Sequence, residues 1–295
     1  MEKRFKVFFN QTAGASNSRK ITEEDIRNAF AACGCKVDIH HLAESDVIED
    51  LITSAEKEGF SGIVSAGGDG TLRSLAVKNI GRVLPFGILP LGTYNNTALN
   101  LKIPRELEKA VEKICHGNVV AMDVGNAPGH GYFLEAAGAG IDAALFPFGE
   151  QLKSGRFHRF FHVLRVAFTY RPKKVTLKLV DRNGTEFTVR TKAILVLAAN
   201  GVHYGSNIPI APEASLFDGL LTVKVMNSFR IREVLRQFLS TILPLKSSAP
   251  RISTYEVRSI QIESRSFIPF HVDGEKADSL PASCEIVPAA LKVIV

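Results

Sequence analysis

Apolar and polar positions follow two rhythms along the first part of the chain. Residues 4–9 (RFKVFF) form a short apolar run, and a polar stretch follows from Asn10 to Ser18. Across 20–33 the apolar positions Ile21, Ile26, Ala29, Phe30 and Cys33 recur at helical spacing, which predicts an amphipathic helix. Thr22 and Asp25 mark its start as a variant capping box, with Asp in place of Glu. The same reading predicts strands at 37–40, 63–66 and 86–89. It predicts helices at 44–58, from near Thr71, and at 104–115, the last with Pro104 in its first turn. Strands alternating with helices predict an open, mostly parallel α/β sheet.

The rhythm changes near residues 118–123. Strand-like segments follow at 119–126, 131–137, 175–180, 186–190, 193–198, 220–225, 256–263 and 270–273. Turn residues such as Asp181-Arg182-Asn183-Gly184 separate them. Helical insertions are predicted at about 150–169 and 230–242. The expected plan is an α/β domain over 1–122 and a β-rich, antiparallel, sandwich-like domain over 123–295. The last strand could return to the first domain, and the active site is expected in the cleft between the two.

Composition narrows the function classes. The 295 residues carry 36 Lys and Arg against 30 Asp and Glu, a net charge of +6 that suits an anionic partner without choosing one. No apolar run reaches the roughly 18 residues of a transmembrane helix, and residues 1–9 lack the apolar core of a signal peptide. A cytoplasmic protein, peripheral at a membrane at most, is expected. Cys33, Cys35, Cys115 and Cys284 are too few for a disulfide scaffold and lack zinc-site spacing, so free thiols are expected. The chain has no Trp and no aromatic RNA-binding pattern, which argues against a nucleic-acid module. Residues 153–174 combine seven Lys and Arg with a Phe- and Leu-rich face, and 229–245 is a second apolar-faced segment. The first could lie on an anionic membrane or pack on the second domain.

Candidate chemistry concentrates at Ser65-Ala66-Gly67-Gly68-Asp69-Gly70-Thr71, between a predicted strand and a predicted helix. Glycines there let backbone approach a ligand, and a helix start offers free N–H groups to phosphate. The loop is neither a Walker A sequence nor G-x-G-x-x-G. Asp69 stands out, because an acid in a phosphate loop repels its ligand unless it caps the helix or meets a cation, a lysine or a ribose. A second glycine turn, Pro90-Leu91-Gly92-Thr93-Tyr94-Asn95-Asn96, also follows a predicted strand. Two such turns at neighbouring strand ends converge where open α/β sheets bind ligands.

These residues resemble the diacylglycerol kinase catalytic-domain family, which includes soluble bacterial lipid kinases and is related to sphingosine kinases. The two glycine turns are joined by Asn10-Gln11-Thr12-Ala13-Gly14, Gly138-Ala139-Gly140-Ile141-Asp142-Ala143, Ala211-Pro212-Glu213-Ala214 with Asp218-Gly219-Leu220-Leu221, and His271-Val272-Asp273-Gly274-Glu275. Together they keep the family's order across residues 10–275. The resemblance implies an ATP- and Mg²⁺-dependent lipid kinase acting on diacylglycerol or a related lipid. It implies nucleotide contacts at Asn10, Gly67, Gly68, Asp69, Gly70, Thr71, Leu72, Arg73, Gly92, Thr93 and Asn95. It implies a Mg²⁺ loop with Ser215, Asp218 and Leu220, and an acidic pair, Asp273 and Glu275, one of which is the base. A lipid substrate, transient membrane-surface contact and a homodimer are the partners it allows.

The chain departs from the family pattern at three places. Gln11 replaces a Pro, Asn95-Asn96 replaces Asn-Asp, and His40-His41-Leu42 stands where the second strand often ends in Thr. The last departure leaves His41 as either a nucleotide contact or a surface residue. An NAD kinase-like enzyme, sharing the first glycine motif, and a non-catalytic nucleotide- or lipid-binding protein are the alternative readings.

Overall fold

The structure is a computed structural model that describes residues 2–11, 21–141, 170–205, 207–227 and 252–295. The chain divides into two compact units. One comprises Met1–Val124, Gly201–Gly219 and Val287–Val295, and the other Gly125–Asn200 and Leu220–Ile286.

In the first unit, strands β1 (Arg4–Phe9), β2 (Lys36–His41), β3 (Gly62–Gly67) and β4 (Phe86–Pro90) run parallel in the order β2-β1-β3-β4. Helices α1 (Glu23–Ala32), α2 (Ile48–Lys57) and α3 (Asp69–Lys78) connect them, and α4 (Asn96–Asn100) and α5 (Leu107–His116) follow β4. β3 is buried along its whole length, as a parallel strand covered on both faces must be. Phe5 and Phe8 of β1, Ile63 of β3 and Phe86 of β4 form the sheet's share of the core, against Phe30 of α1 and Leu75 of α3. The capping box is complete. Thr22 Oγ1 accepts from Asp25 N–H at 3.2 Å, and Asp25 Oδ2 accepts from Thr22 N–H at 2.9 Å. α5 starts three residues later than Pro104 suggests, because its cap Glu106 is extended, with ψ 128°. β5 (Val119–Ala127) begins in this unit and ends in the other.

The second unit is antiparallel. Its strands are β6 (Gly131–Phe133), β7 (Ala136–Gly140), β8 (Lys173–Asp181), β9 (Glu186–Ala193) and β10 (Leu195–Ala199). Two short strands of the first unit, β11 (His203–Tyr204) and β12 (Ile208–Pro209), precede β13 (Leu221–Met226), β14 (Ile252–Glu263), β15 (Pro269–Val272) and β16 (Glu275–Ser279). The order runs β16-β15-β7-β10-β13-β14, with the β8–β9 hairpin and the first half of β17 (Ala282–Ile294) also on β14. Leu177, Val196, Val223, Ile260 and Phe270 lie in one buried apolar cluster. The β8–β9 turn is the one the sequence marks. Asp181 Oδ1 accepts from Asn183 and Thr185 N–H at 2.8 Å each, and Gly184 takes φ 83°.

Three features differ from the sequence reading. The expected strand 131–137 breaks at Leu134 and Glu135, whose N–H groups bond a side chain described below instead of a ladder. β17 runs through Pro288 and positive-φ Ala289, residues that mask a strand in a sequence. The segment Gly201–Gly219 groups with the first unit. Its anchors are two asparagines of α4: Asn100 Oδ1 accepts from His203 N–H at 2.9 Å, and Asn96 Nδ2 donates to Gly205 O at 2.7 Å. The predicted helices at 150–169 and 230–242, most of the basic segment 153–174 and all of 229–245 lie outside the described residues. All four cysteines are free.

Candidate functional site

The sheet order of the first unit reverses between β1 and β3, and ligands of open α/β sheets bind at such a point, beyond the carboxyl ends of the strands. Asn10 follows β1 there. Its N–H donates to Ala66 O at 2.9 Å and its Nδ2 to Thr71 Oγ1 at 2.9 Å. Gly67 ends β3, Gly68 caps α3, and Asp69, Gly70 and Thr71 form the helix's first turn, two residues ahead of the expected start. The first N–H groups of a helix lack intrahelical acceptors and carry the positive end of its dipole. Asn10, Gly68, Gly70 and Thr71 line a cavity of about 540 Å³, together with Leu42 and Asp46 from the β2–α2 loop. Leu72 is buried in the core. Its backbone N–H donates to Gly68 O at 2.9 Å, so its part is to close the first helical turn. Arg73 is half-buried beside it.

The second glycine turn is built against the first. A Cβ on Gly92 would stand 2.4 Å from Gly68 Cα, and one on Gly67 would stand 2.7 Å from Thr71 Cβ, so neither turn accepts a side chain there. Asn95 holds the turn in a left-handed conformation, with φ 57°. Its Oδ1 accepts from Gly92 N–H at 2.9 Å, and its Nδ2 donates to Gly92 O at 2.7 Å and Pro90 O at 3.2 Å. Asn95 N–H donates to Asp69 Oδ2 at 2.9 Å. Asp69 therefore stitches the two turns together. Thr93 is exposed, and its carbonyl and that of Tyr94 accept from Arg105.

Burial pushes the Asp69 carboxyl above the usual carboxylate range, against the N–H groups of Asn95, Asn96 and Asp69 itself and the nearby Arg105 charge. A raised folded-state value means that stability is full below the unfolded value near 3.8 and falls as pH rises through the folded value. Asp69→Asn keeps an acceptor for Asn95 N–H and removes that loss. We expect its melting temperature to exceed wild type at pH 7, the gain shrinking as pH is lowered through the carboxylate range, while nucleotide-dependent activity falls. Calorimetric melts at pH 3.5, 5 and 7 check the sign.

His41 faces Glu23, with Nε2 at 2.6 Å from Oε2, and is exposed, while His40 Nε2 sits 2.9 Å from Asp46 Oδ2. Neither histidine lines the 540 Å³ cavity. Asn96, where the family pattern has Asp, donates its amide to Gly205 O, a bond a carboxylate cannot make.

Ser215, Asp218 and Leu220 lie on the loop that leads into β13, with Asp218 exposed. A residue the sequence reading missed shapes this loop. Asp123 is buried in β5, its Oδ2 accepts from Gly219 N–H at 2.7 Å, and its own N–H donates to Leu216 O at 2.8 Å. Its Oδ1 accepts from Ala289 N–H at 2.8 Å, so one carboxylate ties three separate stretches of the first unit. An acid inside the apolar run Met122-Asp123-Val124 was the available signal. Ser215, Asp218 and Leu220 can offer hydroxyl, carboxylate and carbonyl oxygens, a donor set that suits Mg²⁺. No group of three or more His, Cys, Asp or Glu side chains able to hold a metal occurs among the described residues.

In the second unit, Asp273 and Gly274 form the two-residue turn between β15 and β16, with φ 47° and 81°. Asp-Gly suits a hairpin turn that needs positive φ at both positions. The Asp273 carboxylate accepts three backbone N–H groups: Leu134 at 2.8 Å, Glu135 at 2.9 Å and Ala136 at 3.0 Å. This is the bond set that interrupts β6–β7. Glu275, opposite Val272 across the turn, is exposed.

Comparison with known proteins agrees with this plan. The model of the diacylglycerol kinase catalytic domain matches residues 4–127, and that of the YegS C-terminal NAD kinase beta sandwich-like domain matches residues 136–295. The chain is 28% identical over 286 residues to "Probable lipid kinase YegS" of Escherichia fergusonii, covering 94% of this chain and 93% of the relative. It is 30% identical over 251 residues to the protein of the same name from Shigella boydii, covering 82% and 80%. Two solved chains from Bacillus anthracis str. Sterne, both bearing diacylglycerol kinase in their names, share the fold. Their TM-scores are 0.75 and 0.70 at 23% and 21% identity, over 99% of this chain and 97% and 96% of theirs. With one model over its parallel half, the other over its antiparallel half and full-length relatives alongside, the chain belongs to the diacylglycerol kinase catalytic-domain family with a YegS-type C-terminal domain.

Proposed function

We propose that this protein is an ATP-dependent lipid kinase that transfers the γ-phosphate to a lipid hydroxyl, with diacylglycerol as the first acceptor. The observation that carries the reading is the pair of glycine turns locked through Asp69 and Asn95, beside a cavity at the start of α3. Free N–H groups of the α3 turn and the Asn10 and Thr71 side chains hold the phosphates, and Arg73 adds charge at the same turn. The lipid hydroxyl gives its proton to a carboxylate while its oxygen attacks the γ-phosphorus. The bond to the bridging oxygen breaks, and ADP leaves. Asp273 has its oxygens committed to three backbone N–H groups, which gives it the role of holding the turn. Glu275, exposed beside it, takes the proton. When bound, Mg²⁺ would be held by Asp218 with oxygens of Ser215 and Leu220, and would neutralise phosphate charge.

The names of the relatives and of the solved structures support a lipid acceptor. Purified protein with γ-labelled ATP and a panel of diacylglycerol, monoacylglycerol, sphingosine, phosphatidylglycerol and NAD tests the reading. Label is expected in a lipid product. ATP binding without transfer to any lipid would remove the kinase reading, and label in NADP would replace it with the dinucleotide one.

A lipid acceptor requires contact with a membrane surface. Lys173, Lys174, Arg190, Lys192 and Arg265 line a groove of about 1090 Å³ in the second unit. Phe267, 72% exposed, adjoins it, its carbonyl accepting from Lys173 Nζ at 2.7 Å. Cations around an exposed aromatic suit an anionic bilayer. We expect co-sedimentation with phosphatidylglycerol vesicles that falls with added salt and falls further in Arg190→Glu/Lys192→Glu. Equal sedimentation with neutral vesicles would count against this surface. Among the described residues no helix is long and apolar enough to cross a membrane.

A further inference from the structure

The cavity at the end of β1 and β3 has two chemically different sides. On one side stands the amino end of α3, with Gly68, Gly70 and Thr71. On the other stands the loop after β2, which contributes Leu42, Ala43, Glu44 and Asp46. That loop is held in place. Leu42 N–H donates to Phe9 O at 2.9 Å, Asp46 N–H donates to Ala43 O at 3.1 Å, and Asp46 Oδ2 accepts from Ala43 N–H at 2.9 Å and faces His40 Nε2. Asp46 is thus occupied in shaping the loop, and those contacts and the His40 partner hold its carboxyl below the usual range. Glu44 is different. It is exposed on the cavity wall and makes no hydrogen bond or ion pair with any described residue.

An ionised carboxylate is an acceptor only. It repels phosphate and takes hydroxyl or amino donors. A ligand seated with its phosphates at α3 that reaches Glu44 therefore meets it best with a hydroxyl or amine. Acidic side chains beyond the second strand of nucleotide-binding sheets meet ribose hydroxyls in the same way. We infer that Glu44 reads the ribose of the bound nucleotide, accepting a hydrogen bond from its 2′- or 3′-hydroxyl. The protein then favours ribonucleotides over their deoxy counterparts. The inference rests on the nucleotide-binding reading above and adds the residue that sets sugar selectivity.

Calorimetric titration of the full chain with ATP, 2′-deoxy-ATP and 3′-deoxy-ATP tests it. Wild type is expected to bind at least one deoxy form about tenfold more weakly than ATP, the size of one charged hydrogen bond. Glu44→Ala is expected to weaken ATP to the level of that deoxy form and leave the deoxy form unchanged. The side chain is exposed and has no partner among the described residues, so this variant is expected to keep the wild-type fold, which its melting temperature verifies. Equal binding of all three by wild type, or a preference that survives in Glu44→Ala, overturns the inference while nucleotide binding stands. Absence of binding by any of the three overturns the nucleotide reading and this inference with it.

Discussion

Glu275→Gln is expected to lower the rate of phosphoryl transfer to lipid by roughly 10²-fold or more, since a positioned general base contributes about that much. The amide keeps the size of the side chain and loses the site that accepts the proton. Glu275 is exposed, so the melting temperature should stay within about 1 °C, the range of a neutral surface substitution. The loss should fall on kcat, with the KM for ATP little changed, because the nucleotide contacts assigned above lie on the first unit. Wild-type turnover in Glu275→Gln would return the base role to Asp273 or remove it from the hairpin altogether.

Asp273→Ala should instead act on stability. It strips the acceptors from Leu134, Glu135 and Ala136, three consecutive buried residues whose N–H groups have this carboxylate as their partner. It also places alanine at φ 47°. Leaving a buried donor unsatisfied costs about 1–3 kcal/mol each, so the loss should reach about 3 kcal/mol or more. That is a large fraction of the 5–15 kcal/mol typical of a folded domain. At about 2–4 °C per kcal/mol, a fall in melting temperature of roughly 6–12 °C follows. Asp273→Asn keeps part of the acceptor set and should fall between the two. A melting temperature equal to wild type in Asp273→Ala would show that water replaces the carboxylate and that the clamp is dispensable.

Much of the first unit was legible because its signals are local. The capping box of Thr22 and Asp25, the continuous apolar run of β3 and the glycines at Gly67, Gly68 and Gly92 each declare their geometry within a few residues. The Asp-Gly turn at 273–274 belongs to the same class. What escaped depends on partners far along the chain. The use of Asp273 is set by Leu134 to Ala136, more than a hundred residues earlier, and Asp123 matters because Gly219 and Ala289 meet it. Neither neighbourhood has a periodicity that a local reading can detect.

The sequence alone determined the α/β-then-β order of elements, the two glycine turns and the motif set that names the family, because backbone propensity, hydrophobic period and turn chemistry act over short spans. Tertiary structure decided which carboxylates are buried against the backbone and which are exposed. Asp69, Asp123 and Asp273 are acids of one kind in the sequence, yet packing turns Asp69 Oδ2 and both oxygens of Asp123 and Asp273 toward backbone N–H groups, and a carboxylate so bonded is a clamp. Glu44 and Glu275 keep exposed carboxylates on a cavity wall and beside a hairpin turn. Hydrogen-bond satisfaction is a property of what surrounds a side chain, and only the folded chain supplies the surroundings.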